Sequence, residues 1–242
     1  LNCAGTLTGA VADARAALAV LTGRSFEADS IAGVRIGFTE DYGFAPVEPE
    51  VRAAFREAVA AIEAGDVALA RAEPPALSPL GFMIPMLECE VYDAFADVLE
   101  RGDHGLSPET VAVAEIGNAT TGRAYFRALG ERLEFEARWR EFFAGCDVLL
   151  APTTQVTAFE LGRCGPDAID GHEIDPTADG SWYPTSFIAN VIGAAAISIP
   201  IGPTAGGLPL GLQVLGPNGT DATVLAVAEE LERLLPPVSR AA

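Results

Sequence analysis

Apolar side chains recur along this chain in two rhythms, a helical one near 3.6 residues and a strand-like one near two, separated by glycines and prolines. Val11 to Leu21 reads as a helix of small apolar residues that stops at Gly23. Val34-Arg35-Ile36-Gly37-Phe38 alternates and is β-branched, which predicts a short strand. Pro49 then opens a helix in which Val51, Phe55, Ala58, Val59 and Ile62 share one face, with Gly65 ending it. Asp66 to Ala70 is expected to be a second short strand. Alternation of this kind predicts α/β architecture.

From about Pro79 to Gly145 the pattern is mostly helical, with breaks at Gly102-Asp103-His104-Gly105 and near Thr121-Gly122. In the last of these helices Phe126, Leu129, Leu133, Phe135 and Trp139 are expected to form the apolar face. Asp147 to Pro152 is almost wholly apolar and reads as a central strand. Val156 to Gly180, rich in Gly, Asp and Thr, reads as a long surface loop. A short helix over Ser186–Ile192 follows, then buried strands over Ala196–Ile201 and Leu210–Leu215 around a Gly-rich turn. Val224, Val227, Ala228, Leu231 and Leu235 line one face of a closing helix. With no internal repeat and no linker-like stretch, residues 1–242 are expected to form a single α/β domain.

No charged residue occurs between Asp179 and Asp221, which raises the question of a membrane span. Pro184, Pro200, Pro203, Pro209 and Pro217, with the glycines among them, interrupt every stretch of the length a span requires. The net charge is −19, and all fifteen basic residues are arginines. Such a surface disfavours nucleic acid and anionic membranes as partners. The lack of lysine excludes Schiff-base chemistry, a P-loop lysine and a Ser–Lys pair formed within this chain. Cys3, Cys89, Cys146 and Cys164 lie far apart with no C-x-x-C pair, so they read as small thiols, buried or half-buried, in a reducing cytoplasm. The start at Leu1, without Met or a signal peptide, is what a processed or partial chain would show.

Local chemistry is sparse. There is no G-x-S-x-G elbow, and the two histidines, His104 and His172, both fall in glycine-flanked loops. His172, Glu173 and Asp175 are possible metal ligands, but neighbours on one loop need a distant third ligand to converge, so no metal site is expected. Glu88 and Glu90 lie in an apolar helix where burial could raise a carboxyl pKa, a structural hydrogen bond being the alternative. Glu229, Glu230 and Glu232 read as a solvated helix face. The glycines of 202–211 form no G-x-G-x-x-G run entering a helix, and no cofactor is implied.

Four ordered segments carry a family resemblance. Gly207-Leu208-Pro209-Leu210-Gly211-Leu212-Gln213-Val214-Leu215-Gly216-Pro217 resembles the G-L-P-x-G-L-Q-x-x-G-P segment of the amidase signature family. Asp147 to Thr154 is similar to its D-x-L-L-x-P-T-T strand, and Asn190 through Gly202 to its N-L-x-G-x-P-A-x-S-x-P-x-G stretch. Leu1 to Ala14 resembles L-D-x-x-G-P-L-x-R-x-V-x-D-A, with Asn2, Thr6 and Gly9 standing for the Asp, Pro and Arg. Ala195 replaces the proline of G-x-P-A.

The resemblance implies a mixed β-sheet flanked by helices and the hydrolysis of carboxamides by a Ser–cis-Ser–Lys triad. In the family that triad lies upstream of the first of these segments. The chain is therefore expected to be the C-terminal portion of an amidase, with no catalytic residue of its own and inactive alone. Its expected partners are a small-molecule amide, and either the N-terminal half or a second copy of itself. Substrate-binding positions carried over from the resemblance are Arg132, where some glutamine-using relatives hold a carboxylate, Trp182 and Tyr183, where they hold the substrate amine, and Ser186 beside the pocket. For Arg132 the competing expectation is a surface pair with Glu136 one turn on. The alternatives in function are a non-catalytic binding module and a subunit of a glutamine-dependent amidotransferase.

Overall fold

The computed structural model describes residues 3–27, 30–102, 105–175 and 180–235, so Leu1, Asn2 and His104 lie outside the described residues. Its centre is a five-stranded mixed sheet in the order β2-β1-β3-β7-β6, built from β1 (Ile36–Phe38), β2 (Leu69–Arg71), β3 (Val148–Pro152), β6 (Ala195–Pro203) and β7 (Pro209–Gly216). β1 runs parallel to β2 and β3, whereas β7 runs antiparallel to β3 and β6. All five residues of β3 are buried, as its apolar run requires.

Alternation along the strands sends side chains into two separate cores. Val148, Leu150, Leu212 and Val214 face an aliphatic core with Val51, Phe55 and Ile62 of α2 (Pro49–Ala64) and Val224, Val227, Ala228 and Leu231 of α7 (Asp221–Leu234). Leu149, Ala151 and Leu215 face an aromatic core on the other side. There Phe82, Met83 and Met86 of α3 (Leu80–Leu99) meet Phe135, Trp139 and Phe143 of α5 (Gly122–Gly145) and Ile188 and Val191 of α6 (Ile188–Ile192). α4 (Pro108–Ala119), capped by the Ser107 hydroxyl on Thr110 N–H, packs on α3.

Four expectations need correction. Asp66 takes a left-handed turn (φ 63°) after Gly65, so the second strand begins only at Leu69. On α5 the buried positions are Ala128, Phe135, Trp139 and Phe143, while Phe126 and Leu133 are 73% and 58% exposed. The loop after β3 contains a two-stranded hairpin, β4 (Ala168–Ile169) with β5 (His172–Glu173), anchored by buried Ile169. Cys3 and Cys164 are exposed, with Cys89 half-buried and Cys146 buried.

The glutamates of α7 are not simply solvated. Glu232 accepts the Val11 N–H at the start of α1 (Val11–Thr22), an unpaired helix-end donor, at 3.1 Å. Glu229 receives Arg15 through Nε at 3.0 Å and Nη2 at 2.8 Å. α1 is thus fastened to α7 without the arginine that Gly9 replaces in the family pattern.

Candidate active site

β1, β3 and β6 run the same way, so their carboxyl ends meet at one end of the sheet, where open α/β sheets hold their ligands. Thr153 directly follows β3, and its Oγ1 lies 2.6 Å from Oγ of Ser198 on β6, across the intervening β7. The closeness depends on Gly211 of β7: a Cβ there would stand 2.6 Å from Ser198 Oγ and 2.8 Å from Thr153 Oγ1. The Thr153 carbonyl accepts the hydroxyl of Ser186 at 3.3 Å. Ser186 sits in a 3-10 turn, Pro184–Phe187, that leads directly into α6. Gln155 Nε2 donates to Thr185 Oγ1 at 2.5 Å, tying the same turn to the chain after β3, and its buried Oε1 has no donor among the described residues.

The segment that carries Ser186 belongs to a run of four rings. Phe159 meets Trp182 edge-on at 5.1 Å, Trp182 meets Tyr183 at 4.3 Å, and Tyr183 meets Phe187 at 5.2 Å. The Trp182 indole N–H is committed to the Cys164 carbonyl at 2.9 Å, which fixes the ring against the loop. Three of the four residues expected at the site, Trp182, Tyr183 and Ser186, occupy one short segment, which Ser186 ties to Thr153. Arg132 stands apart on α5, half-buried, with Nε 2.8 Å from Glu136 Oε1.

Neighbouring charge is concentrated at the end of β1. Glu40, 7% exposed at its side chain, accepts Arg56 through Nε at 2.9 Å and Nη2 at 2.8 Å, and Arg52 Nη1 at 3.0 Å. The bond to Arg56 outweighs the desolvation that opposes it, and the carboxyl is held at about 2. Two residues on, Tyr42 is fully buried with φ 55°, and its hydroxyl donates to Gln213 Oε1 of β7 at 2.9 Å. Burial pushes that phenol up. These groups join β1, α2 and β7 beneath the hydroxyl cluster. Sequence reasoning missed them because Glu40 and Tyr42 belong to none of the four segments.

The remaining candidates are placed elsewhere. His172 and Glu173 are both exposed on β5, with His172 Nδ1 3.1 Å from the Asp170 carbonyl oxygen. Glu88 is half-buried on α3. Asp147, the first residue of the strand segment, serves structure: it takes Arg35 through Nη2 at 2.6 Å and Nε at 2.9 Å, and the Arg35 guanidinium holds its carboxyl below the ordinary range.

A family model described as Amidase matches residues 1–225. The chain belongs to the amidase family. It is 28% identical over 212 residues to an acylamidase of Rhodococcus erythropolis, covering 85% of this chain and 43% of that protein. It is 26% identical over 234 residues to a glutamyl-tRNA(Gln) amidotransferase subunit of Nitratidesulfovibrio vulgaris, covering 86% of this chain and 46% of the relative. A solved amidase crystal structure superposes with a TM-score of 0.86 at 24% identity, over 96% of this chain and 52% of that one. The chain thus spans about half the length of these relatives, and its mixed sheet flanked by helices is the amidase-family fold.

β6 is one of the two edge strands of this sheet among the described residues, β2 being the other. Along β6 runs a groove of about 530 Å³, bounded by Cys3–Val11, by Asn190 and by α7. Ser198 faces this groove. One flank of the hydroxyl cluster, at Ser198, therefore opens onto a strand edge that is unpaired among the described residues. No helix among the described residues is long and apolar enough to cross a membrane.

Proposed function

We propose that this chain is the substrate-side portion of an amidase that hydrolyses carboxamide C–N bonds, taking an amide and water to a carboxylate and ammonia. The family match over residues 1–225 carries the reading. With no lysine in the chain, the base and the nucleophile it activates come from a triad-bearing portion, which pairs along the β6 edge and closes the groove beside Ser198. Trp182, Tyr183 and Ser186 line the substrate side. Thr153 and Ser198 set the position of Ser186 and of the strand edge that the partner meets. Alone, the chain performs no hydrolysis. It works in the cytoplasm, where its thiols remain reduced.

The substrate is a neutral amide with an apolar or aromatic body. A run of four rings includes the neighbours of Ser186, neither 148–159 nor 180–220 contains a charged residue, and Arg132 is engaged by Glu136. An ionised substrate held there would lose hydration without a counter-charge.

The test is ammonia release from benzamide and from glutamine, by the chain alone and by the chain co-expressed with a triad-bearing amidase portion. Turnover is expected only from the joined protein and mainly on benzamide. Hydrolysis by the isolated chain overturns the reading, and so does a stable joined complex that hydrolyses neither amide. The likeness to a tRNA-dependent amidotransferase favours a second reading, ammonia supply from glutamine. Preference of the joined protein for glutamine would select it. Exposed Leu7, Val20 and Leu21 favour a third, a non-catalytic module that covers these side chains by self-association. A compact monomer in sedimentation would remove that one.

A further inference from the structure

At the opposite end of the sheet a second cleft, of about 560 Å³, lies between the last turns of α5, the end of α6 and the loop joining β7 to α7. Its size is that of a small-molecule site. Phe143, Ile192 and Pro217 give it apolar walls. Trp139, Arg140 and Asn218, whose side chains carry N–H groups, complete the lining. Phe143 precedes β3 and Thr153 follows it, so the cleft is separated from the hydroxyl cluster by the length of the strand, about 15 Å.

Two groups here lack partners. Arg140 is exposed on α5, and its guanidinium pairs with no acid among the described residues. Trp139 is 1% exposed, and its indole N–H, the ring's single polar group, has no acceptor among them. A buried donor left unpaired costs about 1–3 kcal/mol, so a native structure that keeps one has a ligand, a water or another use for it. Glu136 is the acid on the cleft wall, and its carboxylate already takes Arg132. The Asn218 side-chain amide leans over Gly193, where a Cβ would stand 3.1 Å from Nδ2.

We propose that this cleft binds a small organic carboxylate. Arg140 supplies the charge and a planar fork, Asn218 an amide donor, and Trp139 an N–H at the base. The body of the ligand packs on Phe143, Ile192 and Pro217. One guanidinium suits a monoanion, and apolar walls suit an aryl or alkyl group rather than an inorganic anion. The site does not depend on the amidase reading, since it shares no residue with the other end of the sheet.

The probe is sodium benzoate, with benzamide as its neutral match, titrated into the full 15N-labelled chain. Its two tryptophans give two indole N–H signals, and Trp182→Phe leaves that of Trp139 alone. Benzoate should move the Trp139 signal downfield saturably while Trp182 stays in place. Benzamide should bind at least tenfold more weakly. Arg140→Ala should weaken benzoate at least tenfold while keeping the unliganded spectrum, because the residue is exposed. A Trp139 signal that never saturates, an equal response to benzamide, or undiminished binding in Arg140→Ala would each overturn the proposal, the first pointing to water as the partner of the indole.

Discussion

The two cores on either side of the sheet are made differently. The aliphatic core is filled by β-branched and leucine side chains from strands and from α2 and α7, whose apolar faces repeat with helical period. The aromatic core gathers Tyr42, Phe82, Phe135, Trp139 and Phe143, and its main helix, α5, exposes two of the large apolar residues expected to be inside. Where a helix packs mainly on the sheet, as α2 and α7 do, period identifies its buried side. Where it packs mainly on other helices, as α5 does on α3 and α6, those neighbours choose the face.

The sharpest way to break this comparison is Trp139→Ala. The indole contacts Tyr42, Phe135, Phe142 and Phe143, so its removal leaves a cavity among rings that cannot collapse, with an expected loss of about 3–5 kcal/mol in urea unfolding. Ile62→Ala, equally buried in the aliphatic core, should cost less, about 2–4 kcal/mol. A larger loss at Ile62 would remove the distinction between the two cores.

Glu40→Gln tests the polar link between the end of β1 and α2. Losing its charge-assisted bonds to Arg52 and Arg56 should cost about 2 kcal/mol at pH 7. The native carboxyl is held at about 2 against an ordinary 4.5. Its contribution is therefore complete above pH 4.5, falls as pH drops toward 2 and is absent below. Stability curves of the two proteins should converge over that interval. A gap that stays constant with pH would show that the charge is not its source.

Gly211→Ala places a methyl against Thr153 and Ser198, and the displaced hydroxyls should cost about 1–2 kcal/mol. In the joined amidase proposed above, the same substitution should lower activity by a larger factor than the thermal shift implies. Leu133→Ser completes the series on the exposed side of α5. Stability should stay within about 0.5 kcal/mol by thermal melting. A large loss there would mean that the side chain is covered in solution.

The strands and the amphipathic helices α2 and α7 were legible because a repeat of two or 3.6 residues is written locally. The family was legible for a related reason. Its segments are each contiguous in the chain, although the demands that Gly211, Gln213 and Asp147 meet, respectively a close approach, a buried acceptor and an ion pair with Arg35, are tertiary. The site was legible only in part. Trp182, Tyr183 and Ser186 are near one another in the chain, so their grouping needed no fold. The pairing of Thr153 with Ser198, 45 positions apart, needed the antiparallel β7 between them.

By itself, the sequence determined where most of the helices and the central strands form, the charge-free character of the segment after Asp179 and the absence of a lysine base. Only the tertiary structure decided which face of α5 is buried, that Glu229 and Glu232 fasten α1, that Glu40 is gripped by two arginines, and that the Trp139 N–H is left without an acceptor among the described residues. The physical reason is one of range. Periodicity and capping act within a few residues, whereas hydrogen bonds and packing between residues tens or hundreds of positions apart exist only once the sheet has set their distance.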